Sequence, residues 1–167
     1  MSLVYTTGTA PAILSFNSLP SINTTATAAA ESAAFTTDVG HNTVEALVRL
    51  KIVCPTFTPV AASGVNIYAY GSEDGTNYPG ALATNEVIDG TDKTLTLSTL
   101  GNNLRWLGFI QCHTSGGTFT SEPMSVASVF GGVLPRKWGI VITNALPAGA
   151  SLAASGHTIS VTEVSYS

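Results

Sequence analysis

Val44-Glu45-Ala46-Leu47-Val48-Arg49-Leu50-Lys51-Ile52-Val53-Cys54 decides the fold class. Val44, Ala46, Val48, Leu50, Ile52 and Cys54 alternate with Glu45, Leu47, Arg49, Lys51 and Val53. Successive side chains of a strand point to opposite faces, so a period of two marks a strand with one buried face. Val65 to Tyr70 repeats the pattern, with Val65, Ile67 and Ala69 set against Asn66, Tyr68 and Tyr70. It breaks at Gly71-Ser72-Glu73-Asp74-Gly75-Thr76-Asn77, a turn in which Asp74-Gly75 supplies positive φ.

Further strands are predicted at Thr94 to Leu100, Leu104 to Cys112, Ser125 to Phe130, Trp138 to Thr143 and Thr158 to Tyr166. Each is rich in β-branched or aromatic residues and bounded by Gly, Asn or Pro. Many short strands with frequent turns predict an all-β fold, an antiparallel β-sandwich of jelly-roll-like type, over residues 44–167. Residues 1–43 differ: Thr, Ala and Ser dominate and the only charges are Glu31 and Asp38. They read as an extended N-terminal arm, with Ala26 to Ala34 open to either a helical turn or extended chain.

The 167 residues suffice for one domain with one core. Charged residues make up 10% of the chain, against a usual value of about 25%, while 44% are hydrophobic. The net charge of −4 comes without any basic run, so nucleic acid is a poor partner. The first residues lack the pattern of a secretory signal, and no apolar stretch is long enough to cross a bilayer, so the chain reads as soluble and made in the cytosol. Cys54 and Cys112 sit in apolar, strand-like segments and read as buried free thiols. A disulfide requires Cα atoms within about 7 Å, which a sequence does not show.

No spacing selects a catalytic group. There is no GxSxG elbow, and His41, His113 and His157 sit among Gly, Ser or Thr, as surface or hydrogen-bonded histidines do. Glu73, Asp74 and Asn77 offer oxygens, but their spacing is not that of a calcium loop and a turn explains them better. Gly116-Gly117 and Gly131-Gly132 lack the strand-to-helix context of a phosphate cradle and read as bends or bulges. Arg136-Lys137, between Pro135 and Trp138, reads as an exposed basic pair. Trp106, Phe109, Phe130 and Trp138 are predicted to pack in the core. No catalytic residue, cofactor or metal ligand is predicted.

Ile67-Tyr68-Ala69-Tyr70-Gly71-Ser72-Glu73-Asp74-Gly75-Thr76-Asn77-Tyr78-Pro79 resembles a motif of tailed-phage virion structural proteins. So does Ser128-Val129-Phe130-Gly131-Gly132-Val133-Leu134-Pro135-Arg136-Lys137-Trp138-Gly139-Ile140-Val141-Ile142-Thr143-Asn144, followed by Gly149-Ala150-Ser151-Leu152. With Asp38 to Val53 the likeness runs over most of the chain and weakens across the arm. Within it, Asp74, Gly75, Gly131, Gly132, Pro135 and Trp138 are structural turn positions and carry no reactive group.

The resemblance implies a decoration or cement protein on the outside of a phage head, assembled in the bacterial cytoplasm. Its partners would be the major capsid protein and copies of itself, as a homodimer or homotrimer, with neither nucleic acid nor membrane involved. Leu14, Phe16, Leu19 and Phe35 are the expected arm contacts to coat subunits, unless they cover the domain's own core. The alternative is a tail or fibre adhesion module that stacks host-surface carbohydrate on Tyr68, Tyr70 and Tyr78.

Overall fold

The structure is a computed structural model describing residues 3–5, 12–13, 16–19, 22, 28–37, 40, 42–78, 87–96, 104–147 and 150–166. It is an all-β sandwich of two antiparallel sheets. The first sheet takes β1 (Leu3–Tyr5), β2 (Ala12–Ile13), β5 (Thr43–Val53), β9 (Thr118–Thr120), β10 (Met124–Ser125) and β12 (Thr158–Tyr166). The second takes β3 (Ala28–Glu31), β4 (Phe35–Thr36), β6 (Gly64–Ser72), β7 (Lys93–Thr96), β8 (Arg105–Gln111) and β11 (Lys137–Asn144). The chain changes sheet between β2 and β3, β4 and β5, β5 and β6, β8 and β9, β10 and β11, and β11 and β12. Long-range pairing therefore dominates over local hairpins.

The period of two in β5 does what it predicts. Ala46, Val48, Leu50 and Ile52 are completely buried against Ile159 and Val161 of the neighbouring β12. Across the sandwich they meet Val65, Ile67 and Ala69 of β6 and Trp138, Ile140 and Ile142 of β11. Trp138 lies within this core, with the Phe35 ring 5.3 Å away.

Ser125 to Phe130 is not a strand. Only Met124 and Ser125 pair with β5, and Val126–Val129 then form a helical turn, α1. The Ser125 hydroxyl caps this turn by accepting the Ser128 N–H at 3.1 Å. Glu45 of β5 accepts the Ala127 N–H at 2.9 Å and the Ser125 hydroxyl. Gly131 and Gly132, both at positive φ, end the turn. The predicted strand Thr94 to Leu100 appears as Lys93–Thr96, and residues 97–100 lie outside the described residues.

Part of the stretch read as an arm is built into the sandwich. β3 pairs with β11 on one side and β7 on the other, and β4 extends the pairing along β11. Ala28 to Glu31 is thus extended chain inside a sheet, which settles the open reading of that segment. Leu19 and Ile22 are buried in the main core.

Candidate functional site

The outer face of the second sheet carries the features the core does not explain. Because β6 and β11 send Ile67, Ala69, Ile140 and Ile142 inward, they turn Asn66, Tyr68, Tyr70, Gly139, Val141 and Thr143 outward. One half of this face is covered. Ala29, Tyr70, Ile88, Leu95 and Val141 form a second apolar cluster, with Tyr68, Tyr78, Ala34 and Leu104 packed around it. Tyr70 is fully buried and its hydroxyl donates to the Ser32 carbonyl at 2.7 Å. Its ring lies over Gly139, where a Cβ would stand 2.3 Å from Tyr70 Cζ. Burial, first of all, and the nearby Glu31 carboxyl push the Tyr70 hydroxyl far above its usual pKa.

Glu31 fixes the cover in place. Its carboxyl is fully buried, and Oε1 accepts the N–H groups of Asp89 at 3.1 Å and Gly90 at 2.7 Å. Lys93 Nζ stands 3.6 Å from Oε2 and 2.6 Å from Asp89. Burial pushes the Glu31 carboxyl up to about 7, against the opposing pull of the Gly90 N–H and the Lys93 charge.

The other half is open. Trp106 of β8 is 59% exposed and Phe109 is 40% exposed, a correction to their expected place in the core. Trp106 stands opposite Tyr68, and Phe109 opposite Asn66, so all four point outward. A bulge between Ile67 and Tyr68 brings Trp106 and Phe109, three residues apart, to the same face, while Leu107 turns toward the main core. Phe109 lies across Gly64, where a Cβ would meet its ring at 2.4 Å. Gln111 is exposed on the same strand, and among the described residues β8 pairs only with β6. The result, among the described residues, is an aromatic surface of Tyr68, Trp106 and Phe109, with the Asn66 and Gln111 amides at its Phe109 end and the exposed Arg105 next to Trp106 along the edge strand.

None of the family models, curated proteins or solved structures compared with the chain matches it.

A cleft of about 500 Å³ lies beyond Arg105, the residue before Trp106, with Glu73, Asp74, Tyr78 and Phe130 among its walls. Asp74 is occupied as a turn cap: it accepts from Ser72 Oγ at 2.9 Å, Thr76 N at 2.8 Å, Asn77 N at 2.7 Å and Asn77 Nδ2 at 2.6 Å. The N–H groups of Asn77 and Thr76, first among these bonds, hold its carboxyl well below the usual range. Gly75 takes positive φ beside it, as the turn requires. Pro135 packs on Gly71, and its carbonyl accepts the Thr37 hydroxyl at 2.7 Å.

Leu19 is buried and Phe16 and Phe35 pack half-buried on the same core, so these side chains cover the domain itself; Leu14 lies outside the described residues. Of the three tyrosines expected to stack sugar, Tyr70 is inaccessible, while Tyr68 and Tyr78 are half-buried. His157 is held by structure, accepting the Val53 N–H on Nδ1 at 3.2 Å with Nε2 2.8 Å from the Ala153 carbonyl. His113 is exposed, edge-on to Phe119, and His41 lies outside the described residues. Phe130 is half-buried, Arg136 exposed and Lys137 half-buried. Among the described residues, no group of three or more His, Cys, Asp or Glu is placed to hold a metal ion.

Proposed function

We propose that the chain is a non-enzymatic structural subunit of a tailed-phage particle, a decoration protein that lies on the outside of the capsid and stabilises it. The observation that carries the reading is the aromatic face of Trp106, Phe109 and Tyr68 on the edge of a rigid sandwich. Aromatic residues are enriched at the centres of protein interfaces, and charged residues are depleted there. The sequence resemblance to virion structural proteins supplies the setting. The partners are the major capsid protein and further copies of this chain, as a homodimer or homotrimer on the lattice.

Covering the exposed part of Trp106 is worth about 2–3 kcal/mol at roughly 25 cal/mol per Å². One such contact is weak. Simultaneous contacts to several lattice neighbours act through effective concentration and turn weak sites into firm retention. The test is to assemble particles without the chain, then add back wild type or the Trp106→Ala/Phe109→Ala double variant. Wild type raises the temperature of genome release and the variant does not. Equal heat tolerance with and without the chain, and no density for it on the shell in a cryo-EM map, refutes the reading.

A second reading has one observation in its favour. An exposed Trp106 opposite Tyr68, with Asn66 opposite Phe109 on the same face, is also a layout for stacking and hydrogen-bonding a sugar ring, as an adhesion module on a tail or fibre would. Saturable binding on a glycan array, lost in Trp106→Ala, moves the chain to that class.

A further inference from the structure

Cys54 and Cys112 take no part in the docking face, yet the fold brings them together. Cys54 follows the last residue of β5 in one sheet, and Cys112 follows the last residue of β8 in the other. Both are buried in the main core as free thiols, and their sulfurs stand 2.8 Å apart. Two carbons at van der Waals contact stand about 3.5–4.0 Å apart, and a disulfide is about 2.0 Å long. The backbone on both sides is fixed. Cys54 N–H donates to the Gly117 carbonyl at 2.9 Å, Cys112 N–H to the Ser63 carbonyl at 2.8 Å, and Gly116 N–H to the Pro55 carbonyl at 2.9 Å.

We propose that Cys54 and Cys112 are a cross-linking site, which a small disulfide of the oxidised-glutathione class converts into a covalent bridge between the two sheets. The Cys54 thiolate attacks one sulfur of the oxidant, breaking its S–S bond, forming a mixed disulfide and releasing one thiol. The Cys112 thiolate then attacks the Cys54 sulfur and releases the second thiol. The protein loses two electrons and two protons, and the oxidant gains both as two thiols. The S–H of one sulfur stabilises the thiolate of the other, and the two steps balance in the same way whichever of the pair attacks first. The site stays reduced in a reducing cytosol and closes in an oxidising medium. Closure ties the edge strand that carries Trp106 and Phe109 to the opposite sheet, and it does so whatever partner that strand serves.

The test treats the reduced, folded chain with oxidised glutathione, then unfolds and alkylates it. The expected product is a monomer lighter by two hydrogens, with no alkylated cysteine and with the Cys54 and Cys112 peptides joined in a non-reducing digest. Its melting temperature is higher by roughly 10 °C, from the closure of a long loop in a domain of this size. Dithiothreitol reverses the shift, and Cys112→Ser shows neither the link nor the shift. Because both thiols are buried, the same redox buffer is also applied during refolding from denaturant, where access is unrestricted. A bridge formed by either route supports the proposal. Two alkylatable thiols after refolding, a stable glutathione adduct, or only an intermolecular dimer overturns it.

Discussion

Replacing Glu31 by Gln removes the pH dependence that this buried carboxyl imposes on the fold. Its pKa is 4.5 when solvated and about 7 in the folded chain. Between those values the folded state holds a proton that the unfolded state has lost, so stability falls as pH rises. The contribution is fully present below about 4.5 and gone above about 7. The gap of roughly 2.5 pH units, at about 1.36 kcal/mol each, sets an upper bound near 3 kcal/mol. The 3.6 Å approach of Lys93 to Oε2 favours the ionised form and opposes the effect, and burial outweighs it.

Urea unfolding of wild type and Glu31→Gln at pH 5, 6, 7 and 8 gives the comparison. The two are expected to converge at pH 5, with the variant ahead by about 1–3 kcal/mol at pH 8. Every other titrating group is common to the two proteins, so the difference between them is the readout. Parallel pH profiles, or a wild type that gains on the variant as pH rises, refute the reasoning.

Gly139→Ala drives a methyl into the Tyr70 ring, whose hydroxyl is anchored to Ser32, and costs about 1–3 kcal/mol in denaturant unfolding. Tyr70→Phe keeps the ring but strips the Ser32 carbonyl of that donor, at a cost of about 1–2 kcal/mol; an unchanged midpoint denies the bond any part in stability. Trp106→Ala should leave the unfolding free energy within about 1 kcal/mol of wild type, since the ring is mostly in solvent. A cooperative loss of fold in that variant places Trp106 among the core residues.

The strands that the sequence announces are those with one face in the core. In β5 the alternation maps onto burial from Ala46 to Cys54, with Val44 half-buried like Glu45, because β12 pairs with it on one side and β9 and β10 on the other. The same rule fails in β8 for a local reason. Strict alternation puts Trp106 and Phe109 on opposite faces and sends one of them inward, whereas the bulge at Leu107 rotates both out. Nothing in Arg105-Trp106-Leu107-Gly108-Phe109 marks the bulge except Gly108, whose missing side chain lets Met124 Sδ approach.

The α1 turn had a legible cap in Ser125 and a legible end in Gly131-Gly132. Its β-branched Val126 and Val129 argued for a strand, and its decisive partner, Glu45, is 80 residues away in sequence. Glu31 gave no signal at all, since a single acid in an alanine-rich stretch says nothing of the Asp89 and Gly90 amides it accepts. The approach of Cys54 to Cys112 likewise exists only once two sheets are stacked.

The covered and open halves of the outer face are linked through Tyr68. It packs against the second cluster on one side and faces Trp106 across the β6–β8 ladder on the other. Burial raises the pKa of its hydroxyl against a hydrogen bond with Thr143, so the ring is partly withdrawn from water even where the surface begins to open. The cover over Tyr70 is held by backbone donors to one carboxylate, while Trp106 and Phe109 stand uncovered a single strand away. A sandwich whose only task is to fold closes its core between the sheets and clothes both outer faces in polar side chains. Here, among the described residues, chain covers only the half of the outer face over Tyr70, and the other half presents Trp106 and Phe109. Covering Trp106 and Phe109 would remove aromatic area from water, with the exposed charge of Arg105 left at the margin.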